Sequence, residues 1–224
     1  MFMKLTLREK KQEAPNVQSL IFDVNGSLEW RAGQYLHYVL HHEPTDDRGS
    51  DRWFTISSAP HEGFVMLTTR FDKVKGSSFK NELNHLNEGD IIEFSDLDGD
   101  FILEDLNAKY VFIAGGIGIT PYRAILKDLE SKSNNVDVIL LYANRDDNFV
   151  FKDELDHISI PNLKIKYIEG RINIDDIKNS VSDINDRIFY ISGPEGMVDS
   201  MGEALKELEI TDSNIKQDWF PGYD

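Results

Sequence analysis

The chain has 224 residues, room for one large domain or two of roughly 100 residues each. Its hydrophobic share of 40% supports packed cores, and its lack of cysteine excludes disulfides, thiolate-held iron–sulfur clusters or zinc, and a thiol nucleophile. A formal net charge of −16 repels phosphate backbones and anionic bilayers, so nucleic acid and membrane surfaces are not expected partners. No metal site is expected among the candidate residues.

The first ten residues alternate apolar and polar side chains and lack the apolar core of a secretory signal. With a cysteine-free composition, this points to a cytoplasmic location. The most apolar stretch, residues 110–126, is interrupted by glycines, Pro121 and Arg123 and falls short of a membrane span. Up to about residue 103 the pattern is that of short strands, at 3–8, 17–23, 34–40, 53–58, 64–70 and 90–95. Turn material at Asn25-Gly26, 43–49 and 61–63 separates them. Six such strands predict a small antiparallel barrel. One helix is expected over 77–86, with Phe79, Leu83 and Leu86 on one face and serines to cap it.

Past residue 108 strand and helix alternate four times. Strands are expected at 110–114, 136–142, 163–168 and 187–191, and helices at 122–131, 152–158, 175–181 and 196–208. This order predicts a parallel sheet with helices on both faces. The change falls near 104–109, giving an antiparallel β-barrel domain over 1–105 and an α/β parallel-sheet domain over 106–224.

Three stretches point to ligands. After the first strand of the second half, Gly115, Gly116 and Gly118 precede Pro121, a residue suited to a first helical turn, where free N–H groups and the helix dipole favour a phosphate. The spacing is not G-x-G-x-x-G, and the next strand ends Tyr142-Ala-Asn-Arg145 without a ribose-binding acid. The last strand breaks into Ser192-Gly-Pro-Glu-Gly196, a second flexible turn at the same sheet edge. In the first half, Arg52-Trp-Phe-Thr55 brings together a cation, aromatic rings and a hydroxyl, with 52 and 54 on one strand face and 53 and 55 on the other. A flavin would use all three, and Gly76, Ser77 and Ser78 at a helix start offer donors for a pyrophosphate. Ligand-free alternatives stand beside these: tight strand–helix turns, a surface ion pair for Arg52, a core role for Phe54 and plain caps for the serines.

In order and over nearly its full length, the chain resembles the ferredoxin–NADP reductase superfamily. The motifs are Gly33-Gln-Tyr35, Arg52-Trp-Phe-Thr55, Gly76-Ser-Ser78 (or the same read from Lys75), Asp98-Gly-Asp-Phe101, Gly115-Gly-Ile-Gly-Ile-Thr-Pro121, Tyr142-Ala-Asn-Arg145, Ser192-Gly-Pro-Glu-Gly-Met-Val198 and residues 215–220. The resemblance implies an FAD-binding barrel joined to an NAD(P)-binding domain. It implies that Arg52 binds the flavin phosphates, Phe54 packs on the isoalloxazine with Trp53 among the cofactor-binding residues beside it, and Thr55 reaches flavin N5. Gly76, Ser77 and Ser78 would hold the pyrophosphate, favouring FAD over FMN. Gly115, Gly116, Gly118, Thr120, Pro121, Arg145, Gly193 and Pro194 would line the nicotinamide-nucleotide path, and Phe220 or Tyr223 would cover the flavin. Thr55, Ser192 and Phe220 are the catalytic candidates. Ser192 stands where many members have cysteine, and Asp218 where they have glutamate.

The implied function is an FAD-dependent NAD(P)H oxidoreductase, passing hydride from nicotinamide to flavin N5 and electrons to a separate acceptor. That acceptor is a redox protein, an oxygenase component or a small molecule. The alternative is an FAD-binding regulatory or electron-relay subunit that does not itself oxidise nicotinamide. Asp146 and Asp147 beside Arg145 favour NADH over NADPH, unless Arg123 reaches the nucleotide.

Overall fold

The computed structural model describes residues 2–72 and 76–220. They form two compact units, the first ending at Ile102 and the second beginning at Leu103. The sequence placed this boundary three residues later.

In the first unit, β1 (Met3–Ala14), β2 (Val17–Val24), β3 (Tyr35–Val39), β4 (Asp51–Thr55), β5 (Val65–Arg70) and β6 (Ile91–Asp98) form one antiparallel sheet. Its order is β4-β3-β6-β1-β2-β5. The two ends of that order meet where Ile56, just past β4, bridges Leu67 of β5, so the sheet curls towards a barrel. Alternation fixes the inward face: Leu5 and Leu7, Leu20 and Phe22, Leu36 and Tyr38, Ile92 and Phe94 all reach one core. The helix α1 (Ser78–His85) closes this core with Phe79 and Leu83. Ser77 caps it by accepting the Lys80 N–H at 3.2 Å.

The second unit is a five-stranded parallel sheet of β7 (Lys109–Gly115), β8 (Asp137–Asn144), β9 (Leu163–Glu169), β10 (Arg187–Pro194) and β11 (Ile215–Phe220). Its order is β11-β10-β7-β8-β9. The first four were expected and β11 was not. β7 is buried at nearly every position because helices cover both faces. On one face α2 (Thr120–Ser131) packs Tyr122 on Phe112 with ring centroids 4.7 Å apart. On the other, α4 (Ile174–Ser180) and α5 (Glu195–Glu207) bring Ile177, Val198, Met201 and Leu205 to Val111, Ile113, Phe189 and Ile191. A short α3 (Lys152–Asp156) follows β8.

The connections step from β7 to β8 to β9, then return across the sheet so that β10 lies on the other side of β7. The strand order therefore reverses at β7 and β10. Crevices for ligands open beyond the carboxyl ends of strands at such a switch, and both glycine turns singled out in the sequence are at those two ends.

Candidate functional site

Each unit carries its own cluster of candidate groups. In the first, β4 places Arg52 opposite Tyr38 and Phe54 opposite Leu36, on the core-facing side. Arg52 is 4% exposed, and its guanidinium donates through Nη1 to the Arg48 carbonyl at 2.5 Å and to the Asp51 carbonyl. It lies 5.6 Å from the Phe79 ring centroid, and Phe79 stacks on Phe54 at 6.1 Å. Thr55 is buried on the opposite face of the strand. Trp53 shares that face but is about half exposed, and it stacks on His37 at 4.5 Å rather than beside Arg52 and Phe54.

The start of α1 completes an anion cradle. The Asp46 carboxylate accepts the Ser78 N–H at 2.8 Å and Arg48 Nη2 at 2.8 Å, while the Asp46 N–H donates to Ser78 Oγ at 3.0 Å. The Ser78 N–H bond, helped by Arg48, pulls the Asp46 carboxyl down to about 2. This position thus holds an anionic oxygen group on a helix N–H beside a guanidinium, the donor set that a phosphate takes. A side chain at Gly76 would strike the Asp72 carbonyl at 2.6 Å and Asn81 Oδ1 at 2.8 Å, so the turn is passable only without one. Around Phe54 and Phe79 stand Arg48, Arg52, Arg70 and Lys80. Burial, then the charges of Arg52, Arg70 and Arg48, lower Lys80 to about 8. Four cations in one place, in a chain of net charge −16, are an unusual concentration of positive field. The sequence reading found Arg52 and the serines but missed Arg48, Arg70 and Lys80. Their scatter over three elements hid the cluster, although Ser77-x-x-Lys80 was a visible signal.

In the second unit the switch point is built by main chain packed on main chain. Gly116 takes a left-handed φ of +52°, and Gly116–Ile119 form a 3-10 turn into α2, with Thr120 and Pro121 buried in its first turn. An added Cβ at Gly118 would lie 2.5 Å from the Ser192 carbonyl carbon and 2.7 Å from Gly193 Cα. One at Gly193 would lie 3.2 Å from Gly115 Cα. The close approach expected between this turn and a ligand is therefore first an approach of the turn to β10. One at Gly116 would meet only Asn144 Oδ1, at 3.7 Å, so that side of the turn is open.

Ser192 is fully buried and donates to the Asp218 carboxylate across the β10–β11 ladder at 3.3 Å. Pro194 precedes α5 and faces Phe220, the last residue of β11, in the same ladder. Tyr122 ties β7 to β10 by donating to the Ile113 and Tyr190 carbonyls at 3.1 and 2.8 Å, and its phenol is raised well above its usual value by burial, then by Asp218. Arg145 is exposed at the end of β8, next to exposed Asp146 and Asp147. Arg123 is 5% exposed, bonded to Glu154 at 2.6 Å and set over the Phe151 ring, so it is engaged within this unit rather than reaching out. Tyr223 and Lys75 lie outside the described residues.

Residues 112–203 match the oxidoreductase NAD-binding domain family. The ferredoxin reductase component of the 3-ketosteroid-9-alpha-monooxygenase of Mycobacterium tuberculosis is 26% identical over 93% of this chain and 62% of its own length. Among solved structures, the Amycolatopsis cytochrome P450 reductase GcoB superposes with a TM-score of 0.86 at 20% identity, covering 100% of this chain and 71% of that one. A flavohemoglobin from Malassezia yamatoensis with bound FAD and heme gives 0.82 at 20% identity, covering 98% and 60%. The chain spans about three fifths of the length of the curated relatives it matches. Among the described residues no helix is long and apolar enough to cross a membrane.

Proposed function

We propose that this chain is a member of the ferredoxin–NADP reductase superfamily and an FAD-dependent NAD(P)H oxidoreductase that delivers electrons to a separate acceptor. The observation that carries the reading is the cationic cluster at α1 in an otherwise acidic chain. A flavin dinucleotide fits it. Arg52 and Arg48 would hold the pyrophosphate, which would compete with the Asp46 carboxylate for the guanidinium of Arg48 and the Ser78 N–H. Phe54, partly buried against the core, offers the aromatic wall, and Thr55 the hydroxyl for the N5 edge. Bound FAD supplies the two-electron chemistry between nicotinamide and acceptor, and this chain supplies position and field.

In the second unit, Gly116 leaves its turn open where a nicotinamide nucleotide would lie, and Ser192, buried and bonded to Asp218, would fix the end of β10 beside it. Asp146 and Asp147 beside Arg145 support NADH over NADPH, because two carboxylates disfavour a 2′-phosphate. The acceptor is an oxygenase component, another redox protein or a small molecule. A cytoplasmic location belongs to the same proposal and rests on the cysteine-free composition.

The test is flavin content. Wild-type protein purified without added cofactor is expected to carry FAD, and Arg52→Ala to lose most of it while keeping its far-ultraviolet circular dichroism. An Arg52→Ala protein that retains a full complement of flavin contradicts the role given to this side chain.

A further inference from the structure

α1 opens Ser77-Ser-Phe-Lys80. A serine cap is ordinarily answered three residues later by Glu or Gln, whose charge or acceptor oxygen suits the positive helix start. Here that position is lysine, and the first turn holds no acidic residue. The placement is worse than a local mismatch. Lys80 is half-buried, its ammonium donating to the Arg70 carbonyl at 3.3 Å and lying 6.0 Å from the Phe54 ring. Arg48, Arg52 and Arg70 all face it with like charge. The nearby carboxylate of Asp46 is engaged by Arg48 and the Ser78 N–H. Among the described residues neither Lys80 nor Arg70 forms an ion pair. The chain has 40 acidic residues, yet among the described ones no carboxylate pairs with Lys80. Local rules are broken in this way where a ligand completes the balance.

We propose that Lys80 is a ligand of the cofactor's pyrophosphate and takes up a proton when that anion binds. The inference rests on the reading of the first unit as an FAD site and adds a residue and a pH dependence to it. Without the anion, burial and the three arginines hold Lys80 at about 8, against 10.5 for an ordinary lysine. A bound pyrophosphate reverses the sign of the local field and favours the ammonium. Lys80 is then charged in the complex across the range in which it is losing its proton in the free protein. The contact is fully available below pH 8. Above pH 8 the free amine must first draw a proton from solvent, and affinity falls about tenfold for each further pH unit. The other groups facing it do not titrate in this window. Asp46, pulled down by the Ser78 N–H and Arg48, remains ionised, and Tyr38, opposite Arg52, is raised by burial and loses its proton far above it.

The experiment titrates FAD into protein freed of flavin, at pH 7 and pH 9, followed by quenching of flavin fluorescence. Wild type is expected to bind about tenfold more weakly at pH 9. Lys80→Arg keeps its charge and should bind equally at both pH values, and Lys80→Gln should bind weakly at both. Calorimetry at pH 8.5 in two buffers of different ionisation enthalpy should register proton uptake for wild type and none for Lys80→Arg. The proposal is overturned if Lys80→Arg shows the wild-type pH slope, or if Lys80→Gln binds at pH 7 as tightly as wild type. Should Lys80→Gln fail to fold, the Lys80→Arg comparison decides alone. Wild-type protein that binds no FAD at either pH removes the flavin reading itself, and this inference with it. Tight binding of FAD without the lysine signature removes only the inference.

Discussion

Gly118→Ala is the sharpest perturbation of the nucleotide-side unit, because the structure states what the methyl group would hit. The ideal Cβ lies 2.5 Å from the carbonyl carbon of Ser192 and 2.7 Å from Cα of Gly193. Both are main-chain atoms of β10, which is hydrogen-bonded to β7 on one side and β11 on the other. Neither can rotate away as a side-chain tip would. Relief requires the turn and the strand to separate by roughly 1 Å, close to the limit of what a packed interior tolerates. Overpacking of this kind costs about 1–3 kcal/mol, and a main-chain obstacle puts it near 3. Gly116→Ala is the control. Its φ of +52° imposes a left-handed penalty of about 1 kcal/mol, but only Asn144 Oδ1, at 3.7 Å, is near its Cβ. Urea unfolding of the three proteins, followed by far-ultraviolet circular dichroism, should rank them wild type, Gly116→Ala, Gly118→Ala. A Gly118→Ala protein as stable as wild type, or more stable than Gly116→Ala, refutes the assignment of Gly118 to main-chain packing.

Two further outcomes follow from the same unit. Asp183 receives Arg187 Nε at 2.7 Å and Lys109 Nζ at 2.8 Å, and Arg187 foremost holds its carboxyl well below the usual carboxylate range. A depressed folded value means stability present above the unfolded pKa near 4 and lost as pH falls below it. Asp183→Asn should therefore cost about 1–2 kcal/mol at pH 7, discounted for partial exposure, and progressively less towards pH 2 in a series of unfolding midpoints. A loss that does not shrink in acid contradicts the ion-pair account. Ser192→Ala removes one hydrogen bond to Asp218. Loss of this buried bond should cost about 1 kcal/mol of stability, and turnover with NADH should fall about tenfold with KM little changed. An unchanged kcat would free Ser192 of any part in the reaction.

The elements readable from sequence are those whose burial is carried by their own side chains. β7 is an unbroken apolar run because it lies centrally with both faces covered. The first half of β1, β3 and β6 alternate because one face only is covered, whereas β2 and β5 are buried at most positions. β11 escaped because it is the edge strand beside β10, with residues 215–219 of Ile215-Lys-Gln-Asp-Trp-Phe220 partly or largely exposed. The far half of β1 escaped for a similar reason. Residues 9–14 are charged and polar, and they remain in the sheet because β2 pairs with them past the irregularity between Leu7 and Glu9.

Site residues divide the same way. Arg52 and the α1 serines were visible as motif residues, and the structure adds what no spacing reveals. Arg48 and Arg70 converge with them from separate elements, and Trp53 turns to His37 on the opposite strand face. Arg123 was readable as a cation near the nucleotide turn, but its engagement by Glu154 from α3 depended on a helix crossing that the sequence does not show.

The central claim is that this chain joins a flavin to a nicotinamide nucleotide. Anaerobic addition of NADH to the purified protein, loaded with FAD if it is not already yellow, tests it most directly. The account predicts a flavin absorption band that disappears on mixing and returns when an electron acceptor is added. Protein that stays colourless in the presence of both FAD and FMN, or a bound flavin that neither NADH nor NADPH reduces, would contradict it.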